Sequence, residues 1–250
     1  MPLWCSWPRR FSSMPAGGGS RSKPSQPSLP KPMATDRHPL RPILETVGPE
    51  SCPAALNFHC HTLCSDGSLS PDALIRQARD QGLQHLAVTD HHSAAAFRPM
   101  QAWLERELEA GHAVPTLWSG MEISCVLRGC LVHVLALGFE LDHPALHVYS
   151  QGDAAVGEPL RAEAVRKAIH AAGGLAVLAH PARYRLGYPE LIDAAAELGF
   201  DGGEAWYDYD MQPRWSPTPL VCEAIDAQLK NLGLLRTCGT DTHGHDLKGR

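Results

Sequence analysis

No acidic side chain precedes Asp36 in this 250-residue chain. The stretch MPAGGGSRSKPSQPSLPKPM is rich in Pro, Gly, Ser and base, and cannot bury enough apolar area to offset chain entropy. Residues 1–50 are therefore expected to be disordered, with one domain over 51–250. A transit peptide shares this Arg/Ser-rich, acid-poor composition, and a start at Met33 would leave most of it out. Long apolar runs are missing too. The longest, near Leu131–Phe139, is broken by His133 and is far too short to span a bilayer. No apolar h-region marks secretion. CxxC pairs are absent, which argues against a zinc ribbon or a dithiol redox motif. Cys60, Cys125, Cys130 and Cys238 lie in or beside apolar strand-like runs and read as small buried hydrophobes. A soluble, cytoplasmic protein in a reducing compartment is expected. Basic excess is also lacking: the net charge is -5, so no broad nucleic-acid surface is advertised, although a local contact stays open. With 44% hydrophobic residues the chain can fill one sizeable core but not obviously two.

Histidine, by contrast, is abundant, with 14 copies. Many stand beside Asp, Gly or Thr at the ends of apolar runs, which suits metal ligation better than core filling. His38, His112, His143 and His147 lack that setting and read as surface residues.

From Ala54 onward, apolar runs alternate with helical patterns. AALNFHCH, LQHLAVTDHH, VPTLWSGMEIS, CLVHVLALGF, LAVLAHP, FDGGEAWY and LLRTCGTDTH read as strands. SPDALIRQARDQG, FRPMQAWLERELEAG, EPLRAEAVRKAIHAAGG, YPELIDAAAELG and TPLVCEAIDAQLKNLG read as helices, several opening on Ser-Pro, Glu-Pro or Thr-Pro. The result is an α/β fold of about seven strands joined mostly by parallel crossovers. His59/His61, Asp90/His91, Glu122, His133, His180, Glu204 and Asp241/His243 each fall at the C-terminal end of a predicted strand. In a (β/α) barrel such ends converge on one face, whereas an open doubly wound sheet spreads them along an edge. So many potential ligands favour a closed or nearly closed barrel.

In HCHTLCSDG, His59 and His61 stand two apart on a strand and point to one face, with Cys60 on the other. Asp66 follows in a polar turn and can reach back. In AVTDHHS an apolar run ends at Asp90 and His91; His91 reads as a ligand, and His92 as a general acid, a substrate contact or a surface residue. In SGMEIS, Glu122 is a lone carboxylate in an apolar strand, where burial without a cation or donors is costly. His133 in CLVHVLAL is enclosed by apolar neighbours; alone it would be a hydrogen-bonded core residue, and only the other clusters make it a ligand candidate. His180 ends the apolar strand of VLAHPARY. Arg183, three residues on, is placed to hold an anion or to join a surface ion pair. In CGTDTHG, Asp241 and His243 alternate onto one face like the first pair.

Taken in order, HxH…D, TDH, GxEIS, H, AHP and G[ST]DxH resemble the polymerase and histidinol phosphatase (PHP) family of metal-dependent phosphoesterases, over about Asn57 to Gly244. The resemblance implies a distorted (β/α)7 barrel with two or three divalent ions, manganese, iron or zinc. Carried over position by position, it implies His59, His61, Asp66, His91, Glu122, His133, His180, Asp241 and His243 as metal ligands. His59, His61, Glu122 and Asp241 would surround one ion and Asp66, His91 and His243 a second, with His133 and His180 favouring a third. Arg183 would neutralise the substrate phosphate, and His92 is a catalytic candidate.

The implied activity is hydrolysis of phosphate esters by a metal-activated hydroxide. DG, GMEIS and AHPARY are most similar to stand-alone enzymes acting on nucleotide 3′,5′-bisphosphates or the 5′ ends of short RNA. The expected partner is thus a small phosphorylated substrate, with no membrane and no obligate protein partner. One departure bears on substrate choice: the stretch from His133 to His180 is short where those enzymes carry an inserted helical domain. The chain also stops soon after His243. Alternatives are a histidinol-phosphate-type phosphatase and a non-catalytic, metal-stabilised interaction module. Amidohydrolases also open with HxH, but they commonly need a bridging Lys at a strand end, and Lys167 and Lys230 fall in predicted helices.

Overall fold

The computed structural model describes residues 37–249. The expectations for residues 1–36, disorder, a transit peptide and a start at Met33, lie outside the described residues. The expected boundary at residue 50 does not hold, because residues 38–50 belong to the folded domain. Leu40, Leu44 and Val47 recur at helical spacing around α1 (Arg41–Glu45) and are buried in the larger apolar core. His38 is not a surface residue either. It is buried, with Nε2 2.8 Å from the Gly138 carbonyl and Nδ1 accepting from the Leu40 N–H at 3.1 Å.

Strands β1 (Leu56–Asn57), β2 (His85–Ala87) and β3 (Thr116–Trp118) form a parallel sheet in that order. Helices α2 (Pro71–Asp80) and α3 (Phe97–Glu109) make its crossovers. Ser70 caps α2, its Oγ accepting from the Ala73 N–H at 3.2 Å, and Pro71 presets the first turn. Leu74, Ile75 and Ala78 of α2 meet Met100, Trp103 and Leu104 of α3 in the smaller of two apolar cores.

The second sheet runs β4 (Gly120–Leu127), β5 (Cys130–Leu137), β6 (Leu175–Leu178), β7 (Gly202–Trp206), β8 (Leu235–Cys238). Its first half departs from the expected parallel crossovers: β4–β5 and β5–β6 are antiparallel. The cause is a two-residue link. Arg128 and Gly129 have φ of +51° and +72°, the left-handed pair of a tight hairpin. A parallel connection would need about a dozen residues. VPTLWSGMEIS is also not one strand; it divides at Ser119 into β3 and β4, which join different sheets. Ser119 Oγ donates to the Phe139 carbonyl at 2.6 Å at this break. Helix α4 (Ala162–Ala171) packs on β4 and β6, α5 (Tyr188–Glu197) lies beside α6 (Pro219–Asn231), and α6 covers β7 and β8.

Isolated bridges at Cys60–Thr242 and His91–Glu122 tie the two sheets together. Phe58 N–H reaches the Cys238 carbonyl and His61 N–H the Thr242 carbonyl, both at 3.0 Å. The fold is therefore mixed α/β in two linked sheets; the described residues form no single closed ladder of seven strands. Cys60, Cys125, Cys130 and Cys238 are buried free thiols, as expected for small core residues. No described helix is long and apolar enough to cross a membrane.

Candidate metal centre

The bridges join residues just past the C-terminal ends of β1, β2 and β8 to one another and to Glu122 near the start of β4, and there the predicted ligands meet. Glu122 of β4 is fully enclosed, and five imidazoles face its two oxygens. His133 Nδ1 lies 2.8 Å and His180 Nε2 3.1 Å from Oε1. His59 Nε2 lies 3.1 Å, His61 Nε2 3.2 Å and His91 Nε2 3.5 Å from Oε2. Asp241 Oδ1 is 3.1 Å from His61 Nε2 and 3.3 Å from His59 Nε2. Asp66 Oδ2 is 3.3 Å from His243 Nε2 and 3.8 Å from His91 Nε2. Donor atoms within 4.8 Å of one another fall into three groups: His59, His61, Glu122 and Asp241; His61, Asp66, His91 and His243; and His91, Glu122 and His133. The first group is the expected one, the second gains His61, and in the third His91 and Glu122 join His133. His180 stands outside these groups but against Glu122. A cavity of about 340 Å³ opens on the cluster.

Neighbouring groups orient the donors. Glu204 of β7 places both oxygens 3.1 Å from His59 Nδ1 and accepts from the His180 N–H at 2.8 Å. That contact turns His59 Nε2 toward the centre, in the carboxylate–histidine pattern common around metals. Glu204 stands among the strand-end candidates in the sequence but outside the ligand set that the family resemblance implies. Its signal was the one that marked Glu122, a lone carboxylate in an apolar strand. His243 Nδ1–H donates to the Asp241 carbonyl at 2.8 Å, again freeing Nε2. Asp90 faces elsewhere: it accepts from Thr62 N–H at 2.7 Å, Thr62 Oγ1 at 2.6 Å and Ser65 Oγ at 2.7 Å, which shapes the turn carrying Asp66. His180 and Asp241 adopt φ of +26° and +51°. Left-handed backbone costs a non-glycine residue about 1–2 kcal/mol, which the surrounding packing must offset.

The charge pattern asks for a cation. Burial opposes ionisation of Glu122, yet His59 and the other imidazoles hold its carboxyl well below the usual range. Asp241 is depressed the same way, with burial opposing and His59 and His61 prevailing. Burial disfavours a charged His59, but Glu122, Glu204 and Asp241 push it well up. His61 overcomes burial through Asp241 and Glu122 and rises to about 9. His91 drops to about 4 because burial outweighs Glu122. Both ring nitrogens of His61, and Nδ1 of His133 and of His180, are buried without a well-formed hydrogen bond. Imidazole nitrogens and carboxylate oxygens without thiolate fit a divalent transition ion better than magnesium alone.

His92, the catalytic candidate, does not reach the cluster. Its backbone takes φ +50°, and its Nε2 packs on Ser124, 3.1 Å from Oγ and accepting from the N–H at 3.3 Å. The left-handed turn after His91 carries the next side chain away. Arg183 does reach the cavity, with Nη1 3.1 Å from Asp241 Oδ2. Lys167 and Lys230 sit on α4 and α6 in i,i+4 ion pairs with Glu163 and Asp226, away from the centre.

The family model for the PHP domain matches residues 57–201. The chain belongs to the PHP domain family. Its similarity extends to a 5′-3′ exoribonuclease of Haemophilus influenzae, 29% identical over 185 residues, covering 68% of this chain and 64% of the relative. A 3′,5′-nucleoside bisphosphate phosphatase of Chromobacterium violaceum is 31% identical over 93 residues, covering 37% of this chain and 30% of the relative. The chain thus spans under two thirds of the length of either relative. In fold, the PHP domain is similar to a crystal structure from Bifidobacterium adolescentis described as a metal-dependent phosphoesterase. That match has a TM-score of 0.61 at 23% identity and covers 79% of this chain and 90% of the other.

Proposed function

We propose that this PHP domain is a metal-dependent phosphoesterase that hydrolyses nucleotide 3′,5′-bisphosphates or the 5′ ends of short RNA. The observation that carries the reading is the set of five imidazoles facing the two oxygens of buried Glu122, with Asp241 and Asp66 closing the donor groups. Two or three divalent ions, manganese, iron or zinc, suit these groups. The ions would supply an acidified water and charge neutralisation at the phosphoryl oxygens. The residues do the rest. His59, His61, Glu122 and Asp241 form the deepest donor group; Asp66, His91 and His243 form the mouth, where their side chains are partly exposed. Arg183 offers a guanidinium to the phosphate from the cavity wall. Glu204 keeps a proton on His59 Nδ1 and so fixes the ring as a donor through Nε2.

The substrate class rests on the two relatives, whose names are those of enzymes acting on RNA and on nucleoside bisphosphates. The connection from β5 to α4 holds two short 3₁₀ turns, Pro144–Tyr149 and Glu158–Leu160, and no α-helix. The two bridged sheets are read as one distorted (β/α)7 barrel, and a soluble cytoplasmic enzyme is the setting that fits. The test is manganese-dependent phosphate release from a bisphosphonucleotide, 5′-phosphorylated short RNA and histidinol phosphate. Asp241→Ala and His180→Ala should abolish release while circular dichroism stays native; full activity in both variants would refute the centre.

A further inference from the structure

Strands β7 and β8 pair through Gly203–Arg236 and Glu204–Thr237, but the next pair is Trp206–Cys238. Ala205 and Trp206 therefore stand against a single residue of β8, which is a β-bulge. In an unbroken strand, residues 204 and 207 would face opposite sides. The extra residue lets both reach one centre: Glu204 contacts His59, and Tyr207 contacts Asp241.

Tyr207 is buried, and its backbone is held by α6 and the residue that opens it. Its N–H donates to Cys222 Sγ at 3.4 Å, and its carbonyl accepts from Cys222 Sγ at 3.2 Å and from the Thr218 N–H at 3.1 Å. The hydroxyl donates to Asp241 Oδ2 at 2.6 Å and accepts from Arg183 Nη1 at 2.9 Å. Arg183 Nη1 is also 3.1 Å from the same Oδ2. The opposite oxygen, Oδ1, is the one that faces His59 and His61. The hydroxyl is thus shared between a ligand carboxylate and the guanidinium that lines the cavity.

Resting on the phosphoesterase reading above, we propose that Tyr207 is a positioning residue. It engages Oδ2 so that Asp241 presents Oδ1 alone to a cation, and it stations Arg183 toward a bound phosphate. A carboxylate free to rotate can offer one oxygen or two, which changes the coordination number of the ion it holds. A partly exposed arginine has many rotamers, and an anchor at one nitrogen leaves the remaining donors pointed at the cavity.

Tyr207→Phe keeps the ring and removes only the hydroxyl. Metal-free protein would be titrated with manganese by calorimetry, and phosphate release from a bisphosphonucleotide followed against substrate concentration. Manganese affinity should fall by about 10- to 100-fold, and KM should rise. The thermal midpoint of the metal-free variant, recorded in parallel, reports packing alone. A lowered midpoint with manganese affinity and KM within twofold of wild type would overturn the proposal. Arg183→Ala alters a partly exposed side chain, so its folding does not depend on that of the first variant. It should raise KM by about 10- to 100-fold; an unaltered KM would overturn the role assigned to the Tyr207–Arg183 contact. Wild-type protein that takes up none of manganese, iron or zinc overturns the phosphoesterase reading and this inference together. Wild-type uptake with an unaffected phenylalanine variant overturns this inference alone.

Discussion

His59 Nδ1 lies 3.1 Å from both carboxylate oxygens of Glu204, which is itself wholly buried. One carboxylate thereby fixes the tautomer of the deepest histidine and, through the His180 N–H, the strand end that carries a second. Glu204→Gln preserves the shape but cannot hold the Nδ1 proton as strongly. Metal retained after dialysis should drop, with affinity falling by about 10- to 100-fold, while the fold persists. Elemental analysis beside wild type checks this, and equal retention would remove Glu204 from the centre.

Gly239 lets β8 approach the first histidine motif. A Cβ at this position would stand 2.2 Å from His59 Cβ and 2.6 Å from its backbone nitrogen. Neither atom belongs to a flexible side-chain end, so Gly239→Ala must push β8 away. Overpacking of this kind costs about 1–3 kcal/mol. Urea unfolding should show that loss together with weaker manganese binding; a stable variant with normal binding would show that the two segments separate freely.

Leu44 is fully buried in the larger core. Leu44→Ala should destabilise by about 2–5 kcal/mol through lost burial and the cavity left behind. Truncation to a start at residue 51 removes Leu40, Leu44 and Val47 together and should leave no cooperative thermal transition. A truncated protein that melts like the full chain would place the boundary at 50 after all.

Proton and cation compete for the same charge deficit. The folded pKa of His61 is raised from 6.5 to about 9, so its protonated ring stabilises the metal-free fold. That contribution is complete below about pH 6.5 and is lost as pH climbs through about 9. Metal-free protein should therefore lose stability across this window, whereas manganese-loaded protein, with a cation in place of the proton, should hold it. Denaturant melts at both ends of the window decide; identical slopes for the two forms would count against the competition.

Much of the candidate centre was legible in the sequence because residue types suited to ligation leave local marks. HxH on a strand, a carboxylate inside SGMEIS and DxH after a Gly each reveal a residue type out of place. Glu204 carried the same mark inside GGEAW, but it serves a histidine rather than the cavity, and spacing alone does not separate those roles. His92 shows the converse. Adjacent to a ligand, it is turned away by a left-handed backbone that no side-chain pattern announces. The topology was harder to read. Strands β4 and β5 are apolar on both faces, as buried parallel strands are, so the Arg128–Gly129 turn was their one sign of a hairpin. Around α1, the spacing of Leu40, Leu44 and Val47 was present, but the proline-rich composition ahead of it masked the helix.

The centre also straddles a mechanical divide. His59, His61, Asp66 and His91 hang from the ends of strands only two and three residues long, while Glu122, His133 and His180 sit on or just past strands of the broader sheet. Backbone hydrogen bonds join the halves at scattered points rather than along a continuous ladder. A cation gripped by side chains from both halves is then a fastener as much as a reagent. Stripping it away would lower the resistance of the smaller half to unfolding more than that of the larger, while the backbone fold of both is retained.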